Sequence, residues 1–244
     1  MRTFNTSWEE LRTSVKNCRF TDCPRNNGQK LPILFDRKQD SLSKIKFLVV
    51  SQEPGTSLKK THNLIHSEEM ENFLINDCLN SQASGTSPVN KMIEIFGNFD
   101  PSADEIYWNH ALKCVPTTRD EDIKKEWAEC APLCANHFKE ELRLIPSRGL
   151  AIIAFGNYAL ALCRHVLEDE PLSHTRGIMK HIRSTDVQWN LSLGGKEISF
   201  LPFIHPSNCN RVLRQHDKNG EVKRKQEEFV ERIRQLKRQV KSGR

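Results

Sequence analysis

Four short apolar runs, each closed by a polar break and followed by a helical pattern, constrain this chain more than any other feature. They are KIKFLVVSQEPG (Lys44 to Gly55), EIYWNHALKC (Glu105 to Cys114), LAIIAFGN (Leu150 to Asn157) and KEISFLPFIHPSN (Lys196 to Asn208). Short apolar runs bounded by Gly, Pro or a His-Pro pair have the pattern of buried strands that deliver loops. Between them, SGTSPVNKMIEIFG, the stretch from about Asp120 to Leu144 and the residues after Gly156 have helical patterning. Strands alternating with helices predict an α/β fold: a three-layer α/β/α sandwich around a central, mostly parallel four-stranded sheet. In such sheets the working groups gather at the C-terminal ends of the strands. Three loops there carry suggestive chemistry: SQEPG, NHALKC and HPSN.

The domain reading is one unit over residues 1–216 and a basic amphipathic C-terminal helix over 217–244. In that tail Val222, Phe229, Ile233, Leu236 and Val240 fall near one face. From Lys218 to Arg244 there are ten Lys or Arg against four Glu, and the whole chain carries a net charge of +6. That surplus fits a polyanionic partner and equally fits a solvated face. No apolar run is long enough to span a membrane. The N-terminal stretch MRTFNTSWEELRTSVKNC lacks the apolar centre of a signal peptide and has the pattern of a first helix. The expectation is a cytoplasmic monomer with no membrane association.

In such a compartment the eight cysteines are metal ligands, catalytic thiols or buried small hydrophobes rather than disulfides. Two of them, Cys114 and Cys130, stand sixteen positions apart around a proline and a charged helical stretch.

Taken in order, these motifs resemble the uracil-DNA glycosylase superfamily, and most closely its iron–sulfur branch, families 4 and 5. SQEPG stands where family 4 has Gly-Glu-Ala-Pro-Gly, and HALKCVPT matches its Asn-x-x-Lys-Cys-x-Pro-Pro. Cys130 follows Cys114 at the family spacing, FGNYA matches Leu-Gly-x-x-Ala, Arg176-Gly177 fits an Arg-Gly pair, and His205-Pro206-Ser207 supplies the final motif. The resemblance spans about Cys18 to Arg214 and leaves the tail helix outside it.

The resemblance implies a 4Fe–4S cluster held by Cys18, Cys23, Cys114 and Cys130. Thiolates suit such clusters and zinc alike, but zinc Cys₄ sites favour two tight Cys-x-x-Cys knuckles, and neither pair here has that spacing. NCRFTDC is also looser than the family's first pair, and Cys134, one turn after Cys130, is the natural substitute ligand.

It further implies cleavage of the N-glycosidic bond of a pyrimidine in DNA by water, leaving an abasic site, with no lyase step. That reaction leaves positive charge on the sugar and negative charge on base O2, so the site needs a fixed donor at the base and a carboxylate near the sugar. The pyrimidine must also be flipped out of the DNA stack. His205 matches the histidine that donates to base O2, acting best as a neutral imidazole. Glu53 stands where the first family keeps a water-activating aspartate. Gln52 and Gly55 would approach the base. Lys113, Ser207, Asn208 and Arg211 would contact DNA, with Arg211 or Leu213 as the wedge into the base stack.

Two positions depart from the family. His110 occupies the place of the asparagine that reads the uracil edge, with Asn109 beside it. Adjacent strand residues point to opposite faces, so either a bulge brings Asn109 to the base or His110 reads it. Asn80 stands where a phenylalanine should stack on the base, leaving Phe73 or Trp108 to supply a ring. Both departures fall on recognition, so the base is uracil or a modified pyrimidine. The latter includes the bulky modified cytosines of phage DNA that superfamily members acting in antiviral defence excise. The other readings are a non-catalytic iron–sulfur DNA-binding protein and a zinc-bound structural module.

Overall fold

The structure, a computed structural model, describes residues 7–18, 20–21, 23, 39–51, 88–96, 105–114, 123–145, 150–167, 177–184, 190–193 and 196–241. The four expected strands are β1 (Phe47–Ser51), β2 (Ile106–His110), β3 (Leu150–Phe155) and β5 (Lys196–Phe203). They run parallel in the order β2-β1-β3-β5. A short additional strand, β4 (Asn190–Leu193), pairs antiparallel with β5 at the edge. Every residue of β1, β2 and β3 is buried, as expected of parallel strands covered on both faces.

The helices are α1 (Trp8–Lys16), α2 (Pro88–Phe96), α3 (Ile123–Leu144), α4 (Gly156–Leu167), α5 (Ile178–Arg183), α6 (Pro206–His216) and α7 (Glu221–Lys241). A capping box starts α1: Glu10 N donates to Ser7 Oγ at 3.2 Å and Ser7 N donates to Glu10 Oε2 at 2.7 Å. One sheet face meets α1 through Trp8, whose ring lies 5.6 Å from that of Tyr107, and α5 through His181 against Phe200. The opposite face meets α2, where Phe96 packs edge-on to Phe47, and α7, where Phe229 packs on Phe203.

The tail helix is therefore part of the core. Val222, Phe229 and Ile233 of α7 are buried. Asp217 fixes its start, accepting from Val222 N at 2.9 Å and Lys223 N at 3.0 Å, with Gly220 at φ +68° in the turn. Besides Arg224, which donates to Asn219 O just before the helix, three of its cations reach carbonyls at the ends of other helices rather than a polyanion. Arg234 donates to Ile95 O and Lys237 to Phe96 O at the end of α2, and Lys225 donates to Arg183 O and Ser184 O at the end of α5. Cations at helix C-termini satisfy orphan carbonyls and suit the helix dipole. Among the described residues, no helix is long and apolar enough to cross a membrane.

Candidate active site

The parallel register brings Ser51, His110, Gly156 and His205 to one edge of the sheet, at the C-terminal ends of β1, β2, β3 and β5. The four positions belong to two pairs, and each pair is held differently.

In the first pair, Ser51 and His110 are register partners. Ser51 Oγ lies 2.8 Å from His110 Nδ1, 3.2 Å from the donating Trp108 Nε1 and 3.4 Å from the Asn109 carbonyl. The indole N–H occupies one lone pair of Oγ, and the hydroxyl proton faces two acceptors, Nδ1 and the Asn109 carbonyl; donation to the nearer, Nδ1, would leave the imidazole proton on Nε2. Burial, aided by the Lys113 cation, lowers the His110 pKa to about 3, so the ring is neutral. β2 keeps its register with β1 through His110, with no bulge. Asn109 consequently points to the other face, where its Oδ1 accepts from Lys113 Nζ and its Nδ2 has no hydrogen-bond partner among the described residues. Trp108 is buried with its indole engaged on Ser51.

Lys113 is a correction to the expected phosphate contact. Its side chain is 1 % exposed, and Nζ lies 2.6 Å from Glu141 Oε1 on α3, itself fully buried. A buried ammonium is retained where a carboxylate and hydrogen bonds compensate its lost hydration, and this burial keeps it from the surface. Burial raises the Glu141 pKa, opposed by the Lys113 charge.

In the second pair the contact is backbone-close. Gly156, at φ +86°, has a backbone conformation that favours glycine, and a Cβ there would sit tightly, 3.0 Å from His205 Cβ. His205 is half-buried, and burial lowers its pKa, keeping the imidazole neutral at neutral pH. The next residue, Asn157, accepts from Ile178 N at 2.8 Å and so ties the FGNYA segment to Gly177 at the start of α5. Two motifs distant in sequence meet here.

Ser207 and Asn208 lie in the first turn of α6, directly after His205. Arg211 is exposed on the same helix, while Leu213 packs partly against the core. Gln52, Glu53, Gly55, Phe73, Asn80 and Arg176 lie outside the described residues.

Cys18, Cys23, Cys130 and Cys134 gather between the end of α1 and α3. Cys18 follows α1, and a turn with Cys23 N donating to Phe20 O carries the chain back, so that Cys23 Sγ lies 3.4 Å from Cys130 Sγ. Cys114 and Cys134 are buried and Cys18 is half-buried. Burial pushes the Cys134 thiol up to about 11, with smaller effects from Lys113, Cys23 and Cys18. Among the described residues, no three His, Cys, Asp or Glu side chains form a group arranged to hold a metal ion. The donor chemistry, soft and buried with one close thiol pair, suits a thiolate-ligated centre.

Sequence reasoning passed over Ser51, Gly156 and Glu141. Ser51 opens SQEPG and Gly156 sits inside FGNYA, so both were within reach; Glu141 joins the site only through a contact with Lys113 that is distant in sequence.

A family model described as the Uracil DNA glycosylase superfamily matches residues 39–240. The matched stretch takes in α7 and begins after Cys18 and Cys23. No curated protein matches the chain.

Proposed function

Because the chain belongs to the uracil-DNA glycosylase superfamily, whose members act on DNA, we propose that it hydrolyses the N-glycosidic bond of a flipped-out pyrimidine, uracil or a modified base, and leaves an abasic site. The observation that carries this reading is the neutral, half-buried His205 set against Gly156 at the strand-end edge. A neutral N–H held rigidly can donate to O2 as negative charge develops on the departing base, without the cost of desolvating a cation.

Glu53 is assigned the sugar side, orienting water and facing the oxocarbenium charge. Gln52 and Gly55 approach the base, and Ser207, Asn208 and Arg211 hold the backbone, contacts that position a strand without reading its sequence. Base-edge reading falls to His110, since the Asn109 carboxamide is engaged with Lys113. With its proton on Nε2, His110 offers a donor. That fits the 4-carbonyl of uracil and opposes the exocyclic amine of a cytosine. Single-step hydrolysis is favoured because Lys113, the lysine beside the site, is buried and paired with Glu141 rather than poised as an amine nucleophile.

For the cofactor, Cys18, Cys23, Cys114 and Cys130 would hold a 4Fe–4S cluster, with Cys134 as the alternative ligand. The support is the close Cys23–Cys130 pair, the nearness of Cys134 to Cys18 and Cys23, and the burial of Cys114. The cluster would supply a structural tie between the N-terminal segment and α3, and ligation would deprotonate thiols that burial otherwise keeps protonated.

The test is alkali-revealed abasic sites on matched DNAs carrying uracil, plain cytosine and glucosylated 5-hydroxymethylcytosine. Cleavage at uracil supports a repair enzyme with His110 as a donor. Cleavage only at the modified cytosine shows the opposite tautomer and a pocket suited to antiviral defence. DNA binding without cleavage at any of the three defeats the catalytic reading and leaves the non-catalytic one.

A further inference from the structure

The apolar stripe of α7 contains one polar member. Val222, Phe229 and Ile233 are buried, and on the same stripe, one turn after Val222, stands Gln226, which is also buried. A carboxamide at a core position is costly unless its polar atoms are paired. Its Oε1 accepts from Ile204 N at 3.0 Å. Ile204 is one residue beyond the last β3–β5 register pair, Phe155 with Phe203, and one residue before His205. Its amide is buried beyond the strand ladder, where a partner must come from another element.

The segment at His205 is thus bounded on two sides. Gly156 lies against His205 with little space for a methyl group, and α7 grips the preceding amide through Gln226. The same helix is itself fixed firmly. Phe229, next along the stripe, packs on Phe203 with ring centroids 5.8 Å apart, and Arg234, Lys237 and Lys225 anchor α7 to the ends of α2 and α5.

We propose that Gln226 is a positioning residue for the reaction: through the Ile204 amide it sets the backbone from which His205 reaches the base. The C-terminal helix then belongs to the catalytic scaffold, and its polar core residue has a task that a plain packing helix does not need. The proposal rests on His205 being the donor to the base. Gln226 touches neither base nor sugar.

The test compares Gln226→Met, which keeps the side-chain length and removes the acceptor, with Gln226→Glu, which keeps an acceptor oxygen. The readouts are single-turnover excision, affinity for DNA, thermal midpoint and the NMR titration of His205. Gln226→Met should bind DNA as the wild type does and excise roughly ten- to a hundredfold more slowly, as small misplacements of a catalytic group do. Its His205 pKa should rise toward the ordinary value as the burial loosens. Gln226→Glu should restore most of the rate lost in Gln226→Met. If Gln226→Met does not fold, Gln226→Asn, whose oxygen is drawn back by one methylene, takes its place with the same expectation.

Wild-type excision with an equal rate in Gln226→Met overturns the role of Gln226 alone. Equal losses in Gln226→Met and Gln226→Glu, in proportion to their thermal midpoints, also overturn it by reducing the residue to a structural part. A wild type that excises none of the three bases, with the His205 titration unchanged between variants, overturns the glycosylase reading and this proposal together.

Discussion

The two halves of the strand-end edge are held in place by different means. On the β3–β5 side, Gly156 and His205 are packed so closely that a side chain at Gly156 would be crowded. On the β1–β2 side, Ser51, Trp108 and His110 are joined by side-chain hydrogen bonds, and Asn109, Lys113 and Glu141 form a buried polar group behind them. A donor aimed at developing charge gains from rigidity, because it does not have to reorganise as the bond breaks. A base-edge reader is re-specified by exchanging one side chain in a hydrogen-bonded set. On the proposed reading the first half suits constant chemistry and the second suits adjustable recognition, and one departure from the family pattern, His110, falls on the second.

The comparison breaks most visibly through the polar group. Lys113→Ala leaves Glu141 buried without its cation and should cost about 3–5 kcal/mol of stability, measured by denaturant unfolding. Lys113→Met combined with Glu141→Leu should recover most of that loss, because the uncompensated charge goes too. A Lys113→Ala protein that unfolds at the wild-type midpoint would show that the recognition half is not held by this pair.

A smaller loss is expected on the other half. Gly156→Ala forces a side chain into a left-handed backbone and against His205. The conformation alone costs about 1–2 kcal/mol. Excision should fall more than DNA affinity, as seen in single-turnover rates beside a binding titration. Equal falls in both would mean that Gly156 serves the fold rather than His205.

The smallest effect sharpens the contrast. Ser51→Ala removes the hydroxyl that selects the His110 tautomer, a change of about 1 kcal/mol, or several-fold in rate. It should appear as weaker discrimination between carbonyl-bearing and amine-bearing bases. Unchanged discrimination would take Ser51 and His110 out of recognition.

Much of this was legible in the residues, and what was not has a physical cause. The four parallel strands were marked by apolar runs, and β3 starts where its run does, at Leu150, and ends at Phe155, before the glycine that breaks it. Strand β4 is short and polar, although Gly194-Gly195 between Leu193 and Lys196 is a hairpin signal. Period-two alternation correctly separated Asn109 from His110, but which of them faced the edge depended on the register with β1. Lys113 could not be placed, because the partner that permits its burial, Glu141, lies on a separate helix. The tail was half legible for a similar reason: its amphipathic face was visible, whereas the carbonyls that engage Lys225, Arg234 and Lys237 lie at the ends of α5 and α2.

The most direct test of the central claim is single-turnover excision by wild type and His205→Ala, on whichever of the three DNAs the wild type cleaves fastest, followed against pH. His205 must be neutral to act as described, and burial lowers its pKa. The wild-type rate should therefore hold through the ordinary histidine value of about 6.5 and fall only at lower pH, as the imidazole takes up its proton. His205→Ala should lose roughly 10²–10³ in rate, the loss expected for one donor at a developing oxyanion. A His205→Ala protein that excises at the wild-type rate, or a wild-type rate that rises as His205 becomes protonated, would contradict the account.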